Sequence, residues 1–170
     1  GLTYTFKLRE GLQYADGTLV TSADYIRAWK RINDLEGQVS GLVQVYVKDV
    51  QAIDERTVAY TLNAPFAFFP ALAAAPPFIP ANPKQYTDDA INAFPEIIDG
   101  IGPYRMTSHT PGEQMVLEAN LNYVGDNPAI IQKIIIQYFA DATTMAQAVE
   151  SGEIDIAWRT VGPVEANRLK

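Results

Sequence analysis

The stretch 133–158, KIIIQYFADATTMAQAVESGEIDIAW, decides how the chain is to be read. Lys133 to Phe139 is nearly all apolar, the mark of a strand covered on both faces. Asp141 can cap a helix in which Met145, Ala148 and Val149 share one face, and Gly152 stands where a left-handed residue closes such a helix. Ile154 to Trp158 then alternates as the next strand. Strand, helix and strand in so short a span make a βαβ unit, whose crossover is right-handed and whose strands lie parallel. The second half of the chain is therefore expected to be α/β.

Upstream of this unit, Tyr104 to Ser108 and Gln114 to Glu118 read as a hairpin around Pro111-Gly112. Thr87 to Ala93 reads as a short helix. The prolines at 80 and 83 mark the expected domain boundary, giving one domain over 1–82 and a second over 83–170. The first is of mixed α+β pattern. In it Thr3 to Leu8 alternates, with Tyr4, Phe6 and Leu8 on one face. Tyr14 to Thr18 (YADGT) turns the chain, and Thr21 with Asp24 forms a capping-box variant that opens a helix. Tyr25, Trp29, Ile32 and Leu35 give that helix a single apolar stripe. Val47 to Leu62 reads as a hairpin with Asp54-Glu55 at its tip. Ala64 to Pro83 suggests one or two short helices followed by an extended segment.

Apolar residues make up 48% and charged residues 19%, which is globular composition and argues against disorder. The longest apolar run, Ala64 to Pro80, is broken by prolines too often for a bilayer-spanning helix. Twenty acidic against 13 basic side chains give a formal charge of -7. That charge opposes phosphate backbones, and no basic cluster offsets it, so nucleic acid is not an expected partner. With no cysteine, disulfides, thiol nucleophiles and thiolate metal sites are excluded together.

No catalytic constellation emerges. The one histidine, His109, sits on the Pro111-Gly112 hairpin, and neighbouring Ser108 lies on no nucleophile elbow. Asp88-Asp89 and Glu153/Asp155 lack the oxygen-ligand spacing of a calcium loop. Gly100-Ile101-Gly102 runs into Pro103 and a strand, so no helix terminus is offered to an anion. The expectation is no catalytic residue, no metal and no cofactor. Phe66, Phe68, Phe69 and Phe78 read as core packing under a loop, with a binding platform as the alternative. In the strip from Ala75 to Pro80, prolines leave carbonyls without matching amides, which suits the wall of a crevice.

Two stretches carry a resemblance. Leu8, Arg9, Gly11, Tyr14, Asp16, Gly17, Thr18, Val20, Thr21, Asp24 and Trp29 follow one pattern. Gly100-Ile101-Gly102-Pro103-Tyr104, Leu117-Glu118-Ala119-Asn120, Asp141 to Thr144 and Gly152 to Asp155 follow another. Together they resemble the extracellular solute-binding proteins of ABC importers, family 5, the oligopeptide, dipeptide and nickel receptors. Ile101, His109, Ala119 and Val124 depart from that pattern. The resemblance implies a periplasmic-binding-protein-like fold of type II. By it, residues 1–82 are similar to the extra domain of peptide-binding members, and residues 83–170 to the middle segment of lobe one.

It further implies a monomeric receptor, periplasmic or extracellular and tethered as a lipoprotein in full-length form, that captures peptides or similar solutes for a membrane permease. Residues Ser40, Gly41 and Leu42, and Ala75, Pro76, Pro77 and Phe78, match stretches that approach the cleft, whereas the Asp16-Gly17 turn looks like scaffold. A solute-sensing module of a larger transcriptional regulator is the alternative that the same resemblance allows.

Overall fold

A computed structural model describes residues 1–36, 39–86, 98–158 and 162–169, the side chain of Arg168 excepted. Strand β1 (Thr3–Lys7) forms where the sequence alternates, with Tyr4 and Phe6 turned inward and Thr3, Thr5 and Lys7 outward. It runs antiparallel to β3 (Thr57–Leu62), Tyr4 opposite Tyr60 and Phe6 opposite Val58. A turn at Glu55-Arg56 joins β3 to β2 (Val47–Asp54), so the sheet order is β1-β3-β2 and the expected hairpin is present.

Helices close this sheet over one core. Helix α1 (Ser22–Asp34) starts where the capping pattern places it: the Asp24 carboxylate accepts the Thr21 N–H at 2.7 Å and the Thr21 hydroxyl at 3.1 Å. Helix α2 (Ser40–Tyr46) runs directly into β2 and is anchored by fully buried Val43. Helix α3 (Phe69–Leu72) and a 3-10 turn at Pro76–Phe78 occupy the proline-rich segment. The Phe69 ring is at the centre, 5.2 to 6.3 Å from the rings of Tyr4, Phe6, Tyr60 and Phe78. Phe69 and Phe78 are therefore core, as expected. Phe66 is half-buried, and Phe68 is 75% exposed, against expectation. The three closely spaced rings at 66, 68 and 69 do not all face one core, because the chain turns into α3 at Phe69.

The second sheet has β4 (Tyr104–Thr110), β5 (Gln114–Ala119) and β6 (Lys133–Gln137) in the order β4-β5-β6, antiparallel throughout. Helix α4 (Ala142–Glu150) follows, with the Asp141 carboxylate accepting the Thr144 N–H at 2.8 Å and its hydroxyl at 2.9 Å. Gly152 has φ +74°, the left-handed exit foreseen for it. Asp141→Ala should lower stability, because the Thr144 N–H and hydroxyl lose their acceptor at the start of the helix. A urea titration showing no loss would mean that tertiary packing alone holds the start of α4. Helix α5 (Pro163–Arg168) comes last.

The βαβ unit does not form. Residues 154–158 are irregular, with Ile156 and Trp158 each 77% exposed, and among the described residues β6 pairs only with β5. The Glu153 and Ile154 N–H groups both donate back to the Ala148 carbonyl, so the chain is still leaving α4 where the strand should begin. Nor is β6 covered on both faces: Ile135 is 59% exposed. The expected helix at Thr87–Ala93 lies outside the described residues.

Candidate functional site

The two stretches singled out in sequence share one support. Ser40, Gly41 and Leu42 form the first turn of α2, whose Val43 is fully buried in the core that also holds Phe78. Gly41 and Leu42 are exposed and Ser40 is half-buried, so this turn faces outward. In the second stretch Pro76 is exposed and Ala75 half-buried, but Pro77 and Phe78 are buried. The Phe78 ring packs on Phe69 at 5.8 Å and on Tyr60 at 6.2 Å, so it is not free to meet a solute. Two of the carbonyls in this strip, which the prolines are expected to leave spare, are engaged as well. Ala75 O accepts the Phe78 N–H at 3.0 Å and Pro76 O accepts the Ile79 N–H at 3.2 Å. What remains available is Ser40, Gly41, Leu42, Ala75 and Pro76, and both stretches pack beside α1. Next to the core, a run of rings goes from Tyr46 through Phe66 to exposed Phe68, at 4.7 and 6.3 Å, with Tyr46 a member that the sequence reading does not name. The aromatic density hinted at it, but the spacing does not say which ring turns outward.

The Tyr14–Thr18 turn does more than aim α1. It is the joint between the two sheets. The Ala15 N–H donates to Gly100 O at 3.0 Å, and Asn122 Nδ2 donates to Ala15 O at 3.1 Å. Asp16 accepts the Thr18 N–H and hydroxyl at 2.8 and 2.9 Å and Lys84 Nζ at 3.0 Å. Gly17 allows the tight bend, with φ +84°, where a side chain would be strained. Burial works to raise the Asp16 carboxyl, yet the hydrogen bonds from Thr18 and Lys84 outweigh it and hold the group well below its ordinary value. Close by, the Arg9 guanidinium clasps Asp126 through two bonds of 3.1 Å. Tyr14 is fully buried, and burial pushes its hydroxyl upward.

The grooves among the described residues include two that are not lined by any of the seven residues expected from sequence. One of about 480 Å³ lies between the end of β6 and α4, lined by Gln137, Tyr138, Thr144, Gln147 and Glu153 among others. The other, about 280 Å³, runs along α1 past Arg27, Lys30, Arg31 and Asp34. His109 meets Tyr138 edge-on at 6.2 Å on β4. Gly100 and Gly102 spend their carbonyls on Ala15 and Asn120. Among the described residues no three of His, Asp and Glu gather as a metal site would require. This arrangement can present a shaped, weakly polar surface.

Residues 1–170 match the family described as bacterial extracellular solute-binding proteins, family 5, middle. The chain belongs to this family. Its folding pattern is that of the family's solved structures. It is 26% identical to clavulanic acid biosynthesis oligopeptide binding protein 2, with a TM-score of 0.80 over 99% of this chain and 34% of that one. It is similar to the dipeptide-binding protein DppE of Bacillus subtilis, 29% identical over 92% of this chain. It is also similar to the probable D,D-dipeptide-binding periplasmic protein DdpA of Escherichia coli, 32% identical over 91% of this chain. The chain spans 32% and 30% of those two relatives. The periplasmic-binding-protein type II class expected from the resemblance therefore stands, although the βαβ unit expected in the second half does not form. A regulator finds no support among these relatives.

Proposed function

We propose that this chain is a section of a receptor that captures peptides or similar small solutes outside the cytoplasmic membrane and delivers them to an ABC permease, without catalysing a reaction. The observation that carries it is the family match across all of residues 1–170, together with relatives named for dipeptide binding. The mechanism follows from geometry. A solute that touches two walls only when they are closed stabilises the closed form, and one wall by itself holds it weakly. In this proposal residues 1–82 are the extra domain of peptide-binding receptors and 83–170 the middle segment of lobe one. Ser40, Gly41, Leu42, Ala75 and Pro76 contribute a wall of shape rather than charge, while Pro77 and Phe78 back it from the core. The receptor acts as a monomer, held at the membrane by a lipid anchor.

Leu42→Asp in the receptor-length protein tests the wall. Leu42 is 42% exposed, so folding should survive the change. Solute affinity in a calorimetric titration should fall at least about tenfold, or 1.4 kcal/mol. The 170-residue chain by itself should show no saturable peptide binding. Unchanged affinity in the variant removes this wall from the site, and micromolar binding by the isolated chain removes the two-wall mechanism.

A further inference from the structure

Between the Pro76–Phe78 turn and the second sheet the chain passes through residues 79–86, which form neither helix nor strand. Pro80 and Pro83 remove two N–H groups from this segment, and with no ladder beside it its carbonyls need donors from side chains. Arg27 of α1 supplies two of them. Its Nη1 donates to Ala81 O at 3.0 Å and its Nη2 to Tyr86 O, so one guanidinium joins the two ends of the segment's last turn. Within that span the Gln85 and Tyr86 N–H groups both donate to Asn82 O at 3.0 Å, and the Lys84 N–H donates to Asn82 Oδ1 at 2.9 Å. One helical turn along α1, the Arg31 guanidinium lies over the Tyr86 ring at 5.5 Å.

Helix α1 is a firm base for this grip. Ser22 ties its start to the β2–β3 turn, with its hydroxyl on Asp54 O at 2.6 Å and its N–H on Glu55 O at 2.9 Å. At the entry to the second sheet the Asp99 N–H donates to Gln85 Oε1 at 2.9 Å, and Gln85 Nε2 returns a bond to Asp99 Oδ2 at 3.3 Å. We propose that Arg27 is a positioning residue for the solute wall. By joining Ala81 to Tyr86 it fixes where the chain leaves the Pro76–Phe78 turn. That sets Ala75 and Pro76 in place relative to Ser40, Gly41 and Leu42, which also pack beside α1. Arg27 itself touches no solute. An arginine suits the task because its planar fork reaches two carbonyls at once, whereas a lysine ammonium is a single point. The inference rests on the wall proposed above.

Hydrogen exchange in the 170-residue chain and titration of the receptor-length protein with a mixed dipeptide pool test it together. In Arg27→Met the Ile79, Gln85 and Tyr86 amides of the 170-residue chain should exchange at least about tenfold faster. The Leu62 amide, bonded to Leu2 O at 2.7 Å in the first sheet, should keep its rate. In the receptor-length protein the same variant should bind dipeptide about fivefold more weakly, and Arg27→Lys should restore part of the loss. An unchanged Ile79 amide overturns the inference. So does acceleration that includes Leu62 equally, since Arg27 then only supports the fold as a whole. Unchanged affinity beside a loosened Ile79 overturns it too, and Leu42→Asp tells the cause apart. If that variant still binds weakly, the wall stands and only the part of Arg27 in it falls. If it binds normally, the wall itself has failed.

Discussion

Phe69→Ala should lower the unfolding free energy of the 170-residue chain by about 3–5 kcal/mol, the range for removing a buried phenylalanine. Phe69 has no exposed surface, and four other aromatic rings surround it. The vacated space touches β1, β3 and the Pro76–Phe78 turn together, so collapse of one element cannot fill it. Against a total stability of about 5–15 kcal/mol for an ordinary domain, that loss brings the first sheet close to unfolding. Phe68→Ala is the internal control. With its ring 75% exposed, the change should stay within about 0.5 kcal/mol. Urea denaturation followed by tyrosine and tryptophan fluorescence distinguishes them. Equal losses for the two neighbours would mean that the core is not centred on Phe69.

Asp16→Ala should cost about 1–2 kcal/mol, because the Thr18 N–H, the Thr18 hydroxyl and Lys84 lose a shared acceptor at the joint between the sheets. Lys84 is 64% exposed, so its share is small and the Thr18 bonds carry most of the effect. The pH dependence gives a second test. The folded carboxyl lies below its ordinary value of 3.8, so its stabilisation is complete above that value and fades as pH falls through it. Asp54, Asp126 and Asp141 are lowered in the same direction and contribute in the same window. The difference between the native chain and Asp16→Ala isolates the Asp16 part. It should shrink as pH drops from about 4 towards 2. A difference constant across that range would show that the carboxylate charge plays no part in the joint.

Much of the first sheet was legible in the sequence because its signals are local. Alternation in Thr3 to Leu8, the Thr21/Asp24 capping pattern and the turn between β2 and β3 each depend on a few neighbouring residues. The same holds for Asp141 and Gly152 around α4. The candidate wall was legible only as positions. That Phe78 belongs to the core and Pro76 to the surface depends on where Phe69 and Tyr60 arrive from elsewhere in the chain. The Ala75 and Pro76 carbonyls, spare on a count of prolines, are used by the 3-10 turn those prolines help to form.

The family, strands β1 to β3 and the starts of α1 and α4 were set by the order of residues alone, since caps, turns and strand periodicity act over a handful of positions. Tertiary structure decided which of these elements find partners. Ile154 to Trp158 has the alternation of a strand, yet a strand exists only where another offers it hydrogen bonds, and here none does among the described residues. Asp16 and Gly17 read as a bend in one chain, and folding brings Asn122, Gly100 and Lys84 to them from afar, making that bend the joint between two sheets.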